Sequence, residues 1–89
     1  MISDSDRSAI ESLCRKYQIR RAILFGSSLD PVRIGRDIDL AVDGLASRDF
    51  FRFYGELMCT LSRPVDIVDL SQDSKFVQII RQTGTLLYG

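Results

Sequence analysis

The chain has 89 residues, 45% of them hydrophobic and 27% charged, the make-up of one ordinary folded domain with a modest core rather than a disordered tail or a fibre. Twelve basic and twelve acidic residues cancel, so no overall field draws the protein to nucleic acid or to an anionic bilayer, and a phosphate ligand has to be held locally. No histidine is present, which removes Ser-His-Asp and Cys-His mechanisms and any His-ligated zinc. The first residues lack the basic and apolar regions of a signal peptide and no later stretch is long enough to span a bilayer, so the expectation is a single cytoplasmic domain over 1–89.

In chain order, Ile10, Leu13, Cys14 and Tyr17 recur at helical spacing behind a Ser/Asp cluster, which predicts an amphipathic helix from about Asp4 to Tyr17. Arg20 to Phe25 is a short apolar run that stops at Gly26-Ser27-Ser28, a buried strand ending in a tight turn. Leu29 to Arg36 mixes breakers and charge and is expected to be a loop, with one helical turn near its start. Asp37 to Val42 alternates with period two, a strand with both aspartates on one face.

Ser47 is an N-cap candidate for a second helix running to about Leu61 with Phe50, Tyr54, Leu57 and Met58 on its apolar stripe. Pro64 breaks that pattern, and Val65 to Leu70 is a third strand. Phe76, Ile79, Ile80 and Thr83 mark a last helix, with Gly84 as its stop and an apolar tail Leu86-Leu87-Tyr88. The stripes of all three helices are expected to be core, and Cys14 and Cys59 buried free thiols. The order predicts an α/β (α+β) domain: a small mixed sheet of about three to four strands with helices packed on one face.

Aspartate is depleted in strand interiors, yet one strand carries Asp37 and Asp39 and another carries Asp66. Residues i and i+2 share a face with Cα atoms roughly 6.5 Å apart, close enough for both carboxylates to ligate one divalent cation. Facing carboxylates repel, and a bound cation is the simplest way to keep them charged. Magnesium suits an all-oxygen set, since it takes one or two carboxylates together with water and phosphate oxygens. A solvated edge whose acids serve only solubility is the alternative for the pair. Asp69 competes with Asp66, but three residues on it faces the opposite way and sits where a turn or cap begins. Gly26 and Ser27 close the first strand, where a missing side chain and exposed N–H groups let a phosphate approach; an ordinary turn uses the same residues.

The run Leu24-Phe25-Gly26-Ser27-Ser28, then Asp37-Ile38-Asp39-Leu40, then Val65-Asp66-Ile67-Val68, resembles the polymerase-beta-like nucleotidyltransferase superfamily, and within it the minimal nucleotidyltransferases. The resemblance covers nearly the whole chain. It implies that Gly26 and Ser27, with Ser28 beside them, hold a nucleoside triphosphate, that Asp37 and Asp39 bind magnesium, and that Asp66 completes a carboxylate triad promoting attack on the α-phosphate. Two positions depart from the family pattern. Gly-Ser is often followed by a small residue, an arginine and a glycine, where Ser28-Leu29-Asp30-Pro31 stands here; and Arg36 replaces a common serine before Asp37. The triphosphate contact credited to the family arginine passes, by expectation, to Arg36 or Arg33.

The resemblance further implies transfer of a nucleotidyl group, AMP from ATP, to a hydroxyl, and a small helical HEPN ribonuclease toxin as partner, to which such proteins serve as antitoxins. A chain of this length has no room for an acceptor-binding domain, so the acceptor is bound by a partner or is the partner, and a homo- or hetero-oligomer is expected. The alternative is a non-catalytic module that neutralises the toxin by contact. A haloacid-dehalogenase-type phosphatase would need a hydroxyl where Ala41 stands, and a dinucleotide fold would need a Gly-x-Gly-x-x-Gly that is absent.

Overall fold

The structure is a computed structural model that describes residues 2–26 and 37–89. Helix α1 (Asp4–Lys16) begins where Ser3 accepts a hydrogen bond from the Asp6 amide at 3.2 Å, with Asp4 and Asp6 in its first turn and Arg15 and Lys16 in its last, a charge order that suits the helix dipole. Gln18, with φ of 57°, turns the chain out of the helix, and the Ile19 amide donates back to the Cys14 carbonyl at 2.9 Å.

Strand β1 (Arg21–Leu24) pairs antiparallel with β2 (Ile38–Asp43), and β2 pairs in parallel with β3 (Val65–Asp69). The apolar tail is not loose: β4 (Thr85–Tyr88) pairs antiparallel with the free edge of β1, giving the order β3-β2-β1-β4. Between β2 and β3 run a 3-10 turn (Ser47–Asp49) and α2 (Phe50–Thr60); α3 (Lys75–Thr83) connects β3 to β4. The mixed four-stranded sheet is the one the sequence predicts. Ser47 is not a cap but the first residue of the 3-10 turn, whose preceding residue Ala46 has no side-chain oxygen to offer.

Strand alternation divides the core in two. Ala22, Leu24, Ile38, Leu40, Val42 and Val65 pack with Ile10, Cys14, Phe53 and Leu57 from α1 and α2. On the opposite face, Ile23 and Ala41 pack with Leu70, Val77 and Ile80. The expectation of helices on one face therefore holds for α1 and α2, whereas α3 crosses the other face to carry the chain from the β3 edge to the β4 edge. Gly84 permits that return: its φ is −74°, but a Cβ there would strike the Ile23 side chain and come within 2.7 Å of the Ile80 carbonyl oxygen. The glycine is required for close approach, not for a left-handed turn.

Several stripe residues expected in the core are at the surface. Phe76, Ile79 and Met58 are each at least half exposed, and Cys59 is exposed. Helix α3 buries Val77 and Ile80; Phe76 and Ile79 each precede one of these by about 100° around the helix and so form one outer flank. In α2 the buried line is Phe53 and Leu57, which rotates Met58 and Cys59 outward. Cys14 is buried in the main core, as expected.

Asp6 is the buried charged residue of the described fold, 3% exposed. Its carboxylate accepts from the Ser62 amide at 3.0 Å and from the Ser62 hydroxyl at 2.5 Å, fastening the start of α1 to the chain entering β3. A buried carboxylate satisfied in this way stabilises the join instead of weakening it.

Candidate active site

Asp37 is exposed immediately before β2, Asp39 is half-buried within it, and Asp66 is exposed on β3. The parallel register sets Asp39 opposite Asp66, so the two side chains emerge from one face, shared by Asp37 through the period-two alternation. This is the face that α3 covers further along, around Ala41 and Val68. Asp69 is opposite Val42, on the other face, and its carboxylate accepts from the Ser71 amide at 2.9 Å, capping the turn that follows β3. Of Asp66 and Asp69, only Asp66 shares a face with Asp39.

On its other side Asp39 meets the end of β1. The Phe25 amide donates to the Asp39 carbonyl at 3.1 Å, continuing the antiparallel ladder one residue beyond the strand. Gly26 follows with φ of 60°, and a Cβ built on it would lie 2.7 Å from Asp39 Oδ2. The chain turns here in a conformation that disfavours L side chains, and the space a side chain would fill is taken by the carboxylate of Asp39. The glycine and the Asp-x-Asp element are thus in contact. Ser27, Ser28, Arg33 and Arg36 lie outside the described residues.

The donor set fits a hard divalent cation: it is all carboxylate oxygen, spread over two neighbouring strands, with Asp37 and Asp66 open to water and phosphate oxygens. Among the described residues no three His, Cys, Asp or Glu side chains are gathered into a group able to hold a metal ion; a metal bound here would draw its remaining ligands from outside that set. Further along the same face Asp43 is engaged differently, with the Arg20 guanidinium at 3.2 Å and that of Arg81 at 3.8 Å. Two hollows, one of about 580 Å³ beside Lys16, Arg52 and Glu56 and one of about 270 Å³ beside Val42, Phe50 and Phe51, lie with α2 across the sheet and contain none of the three acids.

A neighbour that the pattern did not reveal is the aromatic pair Phe25 and Phe76, whose ring centroids are 5.8 Å apart at 84°. The apolar run ending at Gly26 identifies Phe25 as a strand residue, but nothing local says that a side chain from α3 stands against it.

The family model for polymerase beta nucleotidyltransferases matches residues 8–89. The chain belongs to that family. Its fold is shared by solved toxin–antitoxin structures. One, determined with AMP-PNP, is 27% identical with a TM-score of 0.76, over 93% of this chain and 73% of the other. Another, a tri-AMPylated Shewanella oneidensis HEPN toxin in complex with an MNT antitoxin, is 28% identical with a TM-score of 0.71, over 94% and 70%. A third, the MntA–HepT toxin–antitoxin pair, is 25% identical with a TM-score of 0.73, over 98% and 73%. No curated protein matches the chain. Among the described residues no helix is long and apolar enough to cross a membrane.

Proposed function

We propose that this protein is a magnesium-dependent nucleotidyltransferase that moves AMP from ATP to a hydroxyl of a partner protein, and that the partner is a HEPN toxin which it neutralises as an antitoxin. The observation that carries this reading is the pairing of Asp39 with Asp66 across β2 and β3, beside a glycine whose missing side chain leaves the Asp39 carboxylate its space. Similar proteins support the partner and the chemistry, since one is complexed with a tri-AMPylated HEPN toxin and another was determined with AMP-PNP.

In this reading Asp37, Asp39 and Asp66 hold the metal. When bound, magnesium would supply charge neutralisation of the phosphates and a lowered barrier to forming the attacking oxygen. Gly26, with Ser27 and Ser28, binds the triphosphate and aligns its α-phosphate with the acids, and Arg36 or Arg33 offsets phosphate charge. Asp66, exposed at the rim of the site, accepts the proton of the incoming hydroxyl. That oxygen forms the new bond to the α-phosphorus as the bond to the bridging oxygen breaks, and pyrophosphate leaves with the electron pair. The work is positioning and electrostatics, for which no histidine is required.

A second reading, neutralisation by contact alone, draws on the altered residues after Ser27 and on the carboxylates not being gathered into a three-ligand cage. Purified protein is incubated with its partner, magnesium and labelled ATP, alongside the double variant Asp37→Ala/Asp39→Ala. Transfer predicts label on the partner with wild type only. An unlabelled partner that the double variant still neutralises fully establishes the contact mechanism instead.

A further inference from the structure

The acid face has an apolar flank that the proposed chemistry does not use. Phe25 continues β1 beside Asp39, its amide bonded to the Asp39 carbonyl at 3.1 Å, and its side chain joins the cluster of Ile23, Ala41 and Val77 on the acid face. Asp39 is therefore flanked by a carboxylate, Asp66, on one strand and by a phenyl ring on the other. Phe76, in the first turn of α3, meets Phe25 nearly at right angles, with centroids 5.8 Å apart. In a perpendicular pair one ring presents its edge to the other, so a ring face stays available. Phe76 is 54% exposed, although packing alone would favour burying so large an apolar side chain. The order across this face is acid, Phe25, Phe76.

The geometry points to Phe76, supported by Phe25, as the seat of the nucleobase of the donor nucleotide, and this rests on the nucleotidyltransferase reading above. A triphosphate held at Gly26 with its α-phosphate toward Asp39 leaves a ribose and a base to place. Two directions along the sheet are already taken: Asp66 and the β3 edge are carboxylate, and Asp43 further along β2 is paired with Arg20 and Arg81. The planar apolar surface bordering Asp39 is the aromatic pair. Every base has a π-face and stacks on an aromatic ring without a particular hydrogen-bond pattern, so the seat determines affinity for a nucleotide over bare polyphosphate more than a choice among bases. A nucleobase is favoured over an aromatic side chain of the acceptor because it is tethered to the phosphates that Gly26 faces.

The test compares magnesium-ATP with magnesium-tripolyphosphate, a probe that keeps the phosphates and lacks the base, by equilibrium binding to wild type, Phe76→Ala, Phe76→Tyr and Phe51→Ala. Phe51 is exposed on α2, across the sheet, and serves as an aromatic truncation remote from the acids. The expected result is a loss of ATP affinity of roughly five- to hundredfold in Phe76→Ala, unchanged tripolyphosphate affinity, near-normal ATP binding in Phe76→Tyr, and no change in Phe51→Ala. Equal ATP affinity in wild type and Phe76→Ala overturns the assignment, and a rise confined to the KM for the partner then gives the ring to the acceptor. Parallel loss of both ligands also overturns it, since the ring would then act through the phosphate site. Wild type that binds tripolyphosphate and ATP equally well sinks the base seat alone; wild type that binds neither sinks the nucleotide reading on which it rests.

Discussion

Asp39 and Asp66 stand directly opposite one another in the parallel register of β2 and β3. Like charges directly opposite one another destabilise a sheet, a cost that a bound cation would reverse. Asp66→Asn is therefore expected to raise the melting temperature of the metal-free protein slightly while abolishing the stabilisation that magnesium gives wild type. Thermal unfolding with and without magnesium checks both halves. Identical magnesium responses in wild type and variant would remove Asp66 from the metal site.

Gly26 and the Asp39 carboxylate compete for one space. Gly26→Ala sets a Cβ 2.7 Å from Asp39 Oδ2 in a chain conformation with φ of 60°, which costs about 1–2 kcal/mol in backbone strain alone. The expected outcome is a modest loss of stability with a large loss of nucleotidyl transfer, because the carboxylate has to move. Transfer at the wild-type rate would show that the orientation of Asp39 is unimportant.

Asp6 should matter for stability and not for chemistry. Removing its carboxylate deletes two hydrogen bonds to a charged acceptor at a part-buried join, so Asp6→Ala is expected to lower unfolding free energy by about 1–3 kcal/mol in urea titration. Nucleotide affinity should remain that of wild type, since the join lies with α1 and α2, across the sheet from the acids.

Glu56 gathers two donors, Lys16 at 2.6 Å and the Tyr17 hydroxyl. The Lys16 hydrogen bond first, and Tyr17 second, hold the Glu56 carboxyl below the usual carboxylate range, while Glu56 raises the pKa of both partners. A depressed acid stabilises the fold above its unfolded pKa and ceases to as pH falls through its folded one. The raised tyrosine and lysine stabilise it below their unfolded values and cease to as pH rises through the folded ones. Stability should therefore be level near neutrality and fall at both extremes. Glu56→Gln should flatten both limbs in a urea midpoint against pH, by an amount that solvent screening keeps small.

The two thiols should differ sharply. Cys14 is buried, and desolvation first, with the nearby Glu11 charge second, pushes it up to about 12, whereas Cys59 is exposed. A thiol reagent at neutral pH is expected to label one cysteine in the native protein and both after unfolding. Rapid labelling of both in the native state would contradict the packing of α1 against the sheet.

How far the sequence reaches can be seen residue by residue. Period-two alternation predicted Asp37 and Asp39 on one face, and Asp39 within β2 and Asp66 within β3 are anomalous already in the sequence, because carboxylates are costly in a strand without a purpose. The Gly-Ser turn, the Asp-x-Asp strand and the third acid identified the family without any coordinates. Among the described residues, local patterns also located the three α-helices and strands β1, β2 and β3 to within a residue or a few, since burial periodicity and capping residues act over one or two turns.

What remained for the tertiary structure was everything that depends on which strands are neighbours. Periodicity says that Asp66 and Asp69 face opposite ways, but only the parallel pairing of β2 with β3 decides which one meets Asp39. The Leu86-Leu87-Tyr88 tail is apolar in any fold; it is a strand because the free edge of β1 takes its hydrogen bonds. Phe76 and Ile79 sit on a helical stripe like any core residues, and their exposure follows from the roll of α3 that buries Val77 and Ile80. That same crossing of the acid face brings Phe76 to Phe25, and through Phe25 to Asp39. Side-chain period is a local property of the backbone, whereas register and the roll of a helix are settled by long-range pairing and packing.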